Sequence, residues 1–151
     1  AFEQTENASA ILAGISATDE DDYKRYGYAV GEKNDQGLVK VTHTVEKPGK
    51  PIEGDHIAVV SGLVLDPSFF GALEEAMKRH DQKNTPGELV YIDALNILLE
   101  QDKNCYALEI ANGRYYDCGN KLEYLKAVVE FGLKHKEFQG EFADFIKNLK
   151  V

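Results

Sequence analysis

The chain has 151 residues, enough for one domain with a sizeable hydrophobic core, and its 43% hydrophobic and 28% charged residues are typical of a globular protein. Its formal net charge of −9 argues against a nucleic-acid partner, because no basic face can be assembled to neutralise phosphates. No apolar run approaches the length of a membrane span, so we expect a cytoplasmic protein with no membrane partner.

The first half of the chain predicts mainly strands. Residues 11–17 (ILAGISA) form an apolar run typical of a buried strand, and the acidic segment that follows, TDEDDYKR, predicts a solvated loop. Residues 26–32 and 38–48 flank the turn-rich KNDQG, which predicts a β-hairpin. Residues 56–66 are dense in Val, Ile and Leu, which favours a strand that is buried on both faces.

The second half predicts mainly helices. Residues 67–80 have a proline in the first turn and apolar residues at helical spacing, and residues 85–101 carry a second such stripe. Residues 105–111 and 113–117 surround Asn112-Gly113 and predict another hairpin. Two further helices are predicted from residue 121 onward.

This order of elements indicates an α/β protein in which a mixed β-sheet is flanked by helices. Few β-α-β crossovers are predicted, as if the parallel half of a larger sheet lay upstream. The chain begins with AFEQTENAS rather than with methionine, and these residues resemble the end of a helix. We therefore expect residues 1–151 to form a single domain of a longer protein.

The cysteines and histidines give no metal-site pattern. Cys105 and Cys118 lack paired spacing and have no histidines nearby, so a zinc site is not expected. The two cysteines could lie on neighbouring strands, and the pattern leaves their redox state open. The four histidines are scattered, and we assign them no catalytic role.

Asp117 stands where the predicted strand 113–117 meets the next helix, and two interpretations are open. An acid at this position could cap the helix, because its oxygens accept backbone N–H groups and suit the helix dipole. It could equally hold a ligand or a metal, because strand ends in α/β folds gather such groups. For an isolated sequence, capping is the more frequent case.

Four motifs occur in one order along the chain: YGYAV at 26–30, VEKP at 45–48, GELVYIDAL at 87–95 and YDCGNKLEYLKAVVEFGLKH at 116–135. Together they resemble the C-terminal half of bacterial UTP–glucose-1-phosphate uridylyltransferases, a family of sugar nucleotidyltransferases. The last motif is the most specific, because DCGNK resembles the D-x-G-T motif of thymidylyltransferase relatives. The resemblance extends over essentially the whole chain.

The resemblance implies the C-terminal, sugar-binding part of a Rossmann-like nucleotidyltransferase fold, with the N-terminal nucleotide-binding half absent. It also implies a reaction in which glucose 1-phosphate attacks the α-phosphorus of UTP and yields UDP-glucose and pyrophosphate, with Mg²⁺ as cofactor. The family's glycine-rich nucleotide loop and its first metal-binding aspartate have no counterpart here. We therefore expect the isolated chain to be inactive and, because the missing half would leave apolar surface bare, to form a homo-oligomer.

The same resemblance implies two catalytic residues. Lys47 would contact the sugar phosphate, and Asp117 would be a Mg²⁺ ligand, with Gly119 permitting close backbone approach. Lys47 and Glu46 are neighbours on a predicted strand, so their side chains should point to opposite faces. Pro48 could end the strand at this point and let both side chains reach one cleft.

Gly27, Glu46 and Glu88 are the remaining predicted substrate-binding residues, together with Lys47. Gly27 would let a sugar ring approach the backbone, although it could also be a β-bulge glycine. Glu46 and Glu88 would bind glucose hydroxyls; the alternatives are an exposed strand end for Glu46 and a helix-dipole contact for Glu88. Asp93, deeper in the same helix as Glu88, is assigned a packing or capping role.

A second class of function is a non-catalytic sugar-phosphate-binding or oligomerisation module of the same fold. The coding sequence upstream of Ala1 would separate the classes, because a glycine-rich loop with Thr-Arg would indicate an enzyme. The C-terminal helices carry aromatic residues that could form either a subunit interface or an internal core: Tyr124, Phe131, Phe138, Phe142 and Phe145.

Overall fold

A computed structural model describes residues 5, 7–83, 89–112 and 114–150, including their side chains except those of residues 61, 82 and 83. The chain forms two compact units, Ala1–Gly113 and Arg114–Val151, and each is described by itself. The assignment of residues 1–151 to one domain stays a prediction.

The first unit combines a closed sheet with two helices. Its elements are β1 (Ala8–Ile15), β2 (Gly27–Lys33), β3 (Leu38–Glu46), β4 (Asp55–Leu65), α1 (Ser68–Lys83), α2 (Tyr91–Glu100) and β5 (Asn104–Glu109). Within the described residues the strand order is β1-β4-β2-β3-β5, and β5 returns to pair with β1. The β1–β5 pair is parallel and the other pairs are antiparallel, so the sheet is mixed as predicted.

The hairpin of β2 and β3 forms where the sequence predicts it. The Asn34 side-chain oxygen accepts from the backbone N–H groups of Gln36 and Leu38, both at 3.0 Å, which closes the turn. Gly37 completes the turn with a φ of +81°, a conformation that glycine adopts without strain. The acidic segment before the hairpin contains one short 3₁₀ helix, Asp22–Lys24.

Alternate residues of β2 and β4 enter two separate apolar clusters. Ala29 and Ile57 face the main core, which the sheet shares with α1 and α2, while Tyr28 and Ala58 enter a smaller cluster with Tyr23. The main core includes the fully buried side chains of Leu12, Val39, Leu95 and Leu98. The prediction that residues 56–66 are buried on both faces is therefore confirmed for Ile57, Ala58 and Val59, but it is wrong for Val64, which is 54% exposed.

The second predicted hairpin is wrong. Residues 114–117 form no strand, although Asn112 adopts the turn conformation that the Asn-Gly pair favours, with a φ of +57°. The reason is the closure of the sheet, because β5 pairs with β1 on one side and with β3 on the other. No edge of β5 remains for a returning strand.

The second unit contains the two predicted C-terminal helices, α3 (Lys121–Lys134) and α4 (Gln139–Lys147). They pack closely at Gly132, where an added Cβ would lie 2.5 Å from the ring of Phe142. Across the described residues of both units, no helix has the length and apolar character that a membrane crossing requires.

Candidate functional site

Gly27 and Glu46 face each other at one end of the β2–β3 hairpin. They are register partners, and Gly27 is buried. A Cβ on Gly27 would lie 2.6 Å from Oε2 of Glu46 and 2.5 Å from Cδ1 of Ile92, so glycine makes room for both side chains. The bulge between β2 and β3 falls at Val30 and Gly31 instead, which rejects the β-bulge alternative for Gly27.

Lys47 leaves the strand in a left-handed conformation. Strand β3 ends at Glu46, and Lys47 has a φ of +43° while its N–H donates to the carbonyl of Tyr26 at 3.1 Å. The Lys47 ammonium consequently lies 3.4 Å from Oε1 of Glu46. The prediction that the end of the strand brings both side chains to one side is confirmed.

The carboxylate and the ammonium of this pair are accessible to a ligand. The Glu46 side chain is 38% exposed and that of Lys47 is 59% exposed. An ion pair at this exposure contributes about 0–1 kcal/mol, so a ligand separates it at little cost. Chemically, the carboxylate can accept from hydroxyl groups, while the ammonium can donate to a phosphate.

Helix α2 supports this corner of the sheet. Ile92 reaches Gly27, and the hydroxyl of Thr44 on β3 donates to Oδ1 of Asn96 at 2.7 Å. Asp93 accepts from the backbone N–H of Val90 at 3.1 Å, which confirms its capping role. Sequence reasoning missed the contact of Ile92, and no local signal marks it because Ile92 and Gly27 are distant in the chain. Glu88 lies outside the described residues.

A separate cavity of about 290 Å³ lies in the first unit between α1 and α2. Arg79 lines it and pairs with Glu75 at 3.0 Å and Glu100 at 2.6 Å, so its charge is compensated. Neither Gly27 nor the Glu46–Lys47 pair lines this cavity. We therefore place the candidate substrate site at the Gly27 corner and not in the cavity.

Asp117, in the second unit, does not cap the helix that follows it. Asn120 is the cap, since its side-chain oxygen accepts from the N–H groups of Leu122 at 3.0 Å and Glu123 at 3.2 Å. Asp117 instead accepts from the N–H of Gly119 at 3.1 Å within a tight turn. The Asp117 carboxylate therefore holds the turn before α3, and the N-cap of that helix is Asn120.

Two side chains of the segment before Asp117 contact Glu130 on α3. The Tyr116 hydroxyl donates to Oε2 of Glu130 at 2.5 Å, and Arg114 forms an ion pair with the same carboxylate. The hydrogen bond to Glu130 is also the main reason why the pKa of Tyr116 is raised. Sequence reasoning missed Glu130, whose place on the helix gave no sign of a partner in the preceding loop.

The chemistry of Asp117 fits a magnesium ion. Mg²⁺ prefers oxygen ligands and commonly takes one or two carboxylates together with substrate phosphates and water. Asp117 is a partly buried carboxylate with one oxygen fixed by Gly119. The described residues contain no cluster of three or more His, Cys, Asp or Glu side chains arranged for a metal, so they offer no site enclosed by protein ligands.

Comparison with known proteins indicates the family of the chain. Residues 1–132 match the family model for nucleotidyl transferase. The UTP–glucose-1-phosphate uridylyltransferase of Haemophilus influenzae is 30% identical over 151 residues, which cover 98% of this chain and 48% of that protein. The chain spans about half the length of the curated relatives that it matches.

Solved structures show the same relationship. The UTP-bound UGPase from Acinetobacter baumannii has a TM-score of 0.70 at 30% identity, over 94% of this chain and 46% of that one. A UDP-glucose pyrophosphorylase complexed with UDP-glucose has a TM-score of 0.68 at 26% identity, over 83% and 45% of the two chains. These neighbours confirm the α/β nucleotidyltransferase fold class.

Proposed function

Because the chain belongs to the nucleotidyl transferase family, we propose that it is the sugar-binding part of a UTP–glucose-1-phosphate uridylyltransferase. The whole enzyme would form UDP-glucose and pyrophosphate from UTP and glucose 1-phosphate. Its small-molecule partners would be these substrates and products, and its location would be cytoplasmic. The names of the relatives and their match to almost the full length of this chain support the proposal.

The corner formed by Gly27, Glu46 and Lys47 carries the proposal. It presents an accessible carboxylate and an accessible ammonium 3.4 Å apart, beside a strand position without a side chain. A sugar 1-phosphate needs a hydrogen-bond acceptor for its hydroxyl groups and a hydrogen-bond donor for its phosphate. Glu46 would take the sugar hydroxyls and Lys47 the phosphate, while Gly27 keeps the space between the strands open. Glu88 is proposed as a further hydroxyl contact.

Phosphoryl-group transfer of this kind depends on positioning and on neutralisation of negative charge rather than on a covalent step. Lys47 would neutralise the phosphate of the attacking sugar. Asp117 would hold Mg²⁺, which supplies charge neutralisation at the phosphates when it is bound. The turn at Gly119 and the contacts of Tyr116 with Glu130 would keep the Asp117 carboxylate in a fixed place.

The proposal is tested by titrating the ¹⁵N-labelled chain with glucose 1-phosphate and with glucose 6-phosphate. We expect shifts at the amides of Gly27, Glu46 and Lys47 with glucose 1-phosphate only. Lys47→Ala should weaken binding by about tenfold or more, because a charge-assisted hydrogen bond is lost. Lys50→Ala removes another exposed cation from the same loop and should leave affinity unchanged. Equal affinity of Lys47→Ala and the parent chain would reject the assignment.

The alternative function, an oligomerisation module, is favoured by exposed apolar side chains in the second unit. Phe142 packs within the unit, yet Leu122, Leu125, Phe131 and Phe145 are each about 60% exposed. Exposed groups of this size commonly mark contact surfaces. Sedimentation of the chain at micromolar concentration tests this alternative, because an oligomerisation module requires a concentration-dependent dimer or larger species. A monomer at every concentration would eliminate it.

A further inference from the structure

The loop that follows Lys47 is tied at both ends to one aromatic cluster. The backbone N–H of Gly49 donates to the carbonyl of Tyr23 at 2.8 Å, near the start of the loop. At its far end, Nδ1 of His56 lies 2.8 Å from the carbonyl of Gly54. Tyr23 and His56 contact each other, since the tyrosine hydroxyl lies 3.1 Å from Nε2 of the histidine. The loop 47–54 is therefore held near its start by the backbone of Tyr23 and at its end by the ring of His56, and the side chains of these two residues contact each other.

The hydrogen bonds of His56 fix the direction of this contact. A carbonyl only accepts, so Nδ1 carries the proton that it donates to Gly54. In the neutral ring Nε2 is then an acceptor, and the hydroxyl of Tyr23 donates to it. Both partners of the hydroxyl–imidazole bond are thus oriented by the fold.

The two tyrosines of the cluster are buried and closely packed. Tyr23 is 3% exposed, and its ring stacks on that of Tyr28 with the centroids 5.1 Å apart. Tyr28 is fully buried, and its hydroxyl donates to the carbonyl of Ala17 at 3.1 Å. The ring of His56 meets that of Tyr28 edge-on at 5.6 Å. These contacts leave Tyr23 little freedom to move.

Lys47 requires such support, because a left-handed conformation is unfavourable for a residue with a Cβ. Its φ of +43° is bracketed by two backbone hydrogen bonds, one from its own N–H to Tyr26 and one from Gly49 to Tyr23. The second bond depends on where Tyr23 sits. The direction of the Lys47 side chain toward Glu46 depends in turn on this backbone conformation.

We infer that Tyr23 and His56 are positioning residues for Lys47, holding the loop 47–54 so that the ammonium stays beside Glu46 at the sugar-phosphate site. Neither residue contacts the proposed ligand; each acts through the backbone of the loop. The inference rests on the proposed function, in which Lys47 binds the phosphate of glucose 1-phosphate.

The test uses Tyr23→Phe, His56→Phe and the double variant, which keep the aromatic rings but remove the hydroxyl–imidazole bond. Backbone chemical shifts of residues 47–49 report the conformation of Lys47, and glucose 1-phosphate titrations report affinity. We expect each single variant to shift these signals and to weaken binding on the order of threefold to tenfold, the range for one hydrogen bond. The double variant should lose no more than His56→Phe alone, because His56→Phe already removes the bond to Tyr23 together with the bond to Gly54.

Thr42→Val is the matched control. It removes a hydroxyl that donates to Val30 at 3.1 Å on the same sheet, away from the loop 47–54. It should lower stability to a similar extent while leaving affinity and the signals of residues 47–49 unchanged. An equal loss of affinity in Thr42→Val would mean that general destabilisation explains the effect, which overturns the inference.

The remaining outcomes separate the inference from the proposed function. Unchanged signals at residues 47–49 in both single variants overturn the positioning role, whatever the affinity. If those signals shift but the parent chain does not bind glucose 1-phosphate, the positioning of Lys47 by Tyr23 and His56 is supported and the sugar-phosphate role of Lys47 is overturned. Shifted signals together with weaker, non-additive binding support both.

Discussion

At the residue scale, Gly27 is the position where a single methyl group should disturb the candidate site. A Cβ would meet the ends of two flexible side chains, Glu46 and Ile92, within 2.6 Å. The exposed end of Glu46 can turn away at little cost but the buried Ile92 must repack, so we expect Gly27→Ala to lower the free energy of unfolding by about 1 kcal/mol, the low end of overpacking. It should also weaken glucose 1-phosphate binding, because the Glu46 carboxylate is displaced.

The matched control for Gly27→Ala is Gly71→Ala on α1. No atom lies within 4 Å of a Cβ at Gly71, so alanine meets open space there. Inside a helix alanine is favoured over glycine, and we expect a gain of up to about 1 kcal/mol without any change in binding. Urea unfolding of both variants checks the comparison. Equal stability of Gly27→Ala and the parent chain would show that this corner is looser than the structure indicates.

Two buried residues should make the free energy of unfolding depend on pH in the alkaline range. Burial raises the pKa of the Tyr28 phenol from 10.0 to about 12, with the charge of Asp22 adding to the effect. Burial likewise raises the pKa of the Cys105 thiol from 9.0 to about 11, assisted by Asp66. In both cases the unfolded chain releases its proton first, so the stabilisation is complete below the unfolded pKa and is lost as pH rises.

We therefore expect the free energy of unfolding to fall from pH 9 upward. Each unit of pKa shift corresponds to about 1.4 kcal/mol, so Tyr28 would account for a loss of up to about 3 kcal/mol between pH 10 and 12. Urea unfolding of the parent chain and of Tyr28→Phe across this range measures the contribution. The variant should keep the fall that begins near pH 9 and lose most of the fall above pH 10. If the free energy of unfolding falls equally steeply above pH 10 in Tyr28→Phe and in the parent chain, the role of Tyr28 is contradicted.

The residues of the site differ in how far the sequence could predict them. Pro48 is a local signal that a strand ends, and it correctly predicted that Glu46 and Lys47 reach the same side. The left-handed conformation of Lys47 and its support by Tyr23 could not be predicted, because they depend on contacts made by the folded loop. Cys118 illustrates the same limit: it is exposed, and Cys105 lies buried on β5, so neighbouring strands do not hold the pair.

At the element scale, local patterns predicted the elements well and their partners poorly. Apolar periodicity predicted α1 and the first four strands, because each of these elements buries one face or both. It also predicted α3 and α4, although only Ala127 of α3 and no residue of α4 is buried. The failure at residues 113–117 concerns pairing. Asn112 does adopt a turn conformation, but whether a strand follows depends on a free edge of β5, which the parallel pairing with β1 removes.

The start of α3 separates capping from metal binding. Asn120→Ala removes the acceptor of two backbone N–H groups, so we expect a loss of about 1 kcal/mol, seen as faster hydrogen exchange in α3. Asp117→Asn should cost well below about 1 kcal/mol, because an asparagine side-chain oxygen can still accept from Gly119.

Mn²⁺ binding tests whether the Asp117 carboxylate is a metal ligand. Mn²⁺ broadens the NMR signals of amides near its site, and in the parent chain we expect broadening at residues 116–120. Asp117→Asn should abolish it without changing the turn, because the hard cation loses a charged oxygen donor. Asp144→Asn, an exposed acid on α4, is the control and should leave the broadening at 116–120 as it is. Equal broadening in Asp117→Asn would leave the carboxylate without a metal role.

At the scale of the whole molecule, the chain combines two units that carry different parts of the proposed chemistry. The first unit has the sugar-phosphate corner on its closed sheet, and the second has the carboxylate proposed for the metal. The matched relatives are about twice as long as this chain. Residue patterns alone could not identify the substrate, because a glutamate–lysine pair at a strand end suits many anionic ligands.

We expect the 151-residue chain to bind glucose 1-phosphate without catalysing the formation of UDP-glucose. The 151 residues contain neither a glycine-rich phosphate loop nor the first of the two proposed metal carboxylates. We therefore expect that they cannot hold the α-phosphorus of UTP in line for attack. We expect pyrophosphate release at background level with UTP, Mg²⁺ and glucose 1-phosphate, under conditions in which the same preparation shows shifts at Lys47. The Lys47→Ala variant should match the parent chain in turnover and differ from it in binding. Pyrophosphate release that is well above background and abolished by Lys47→Ala would mean that this chain forms a complete active site.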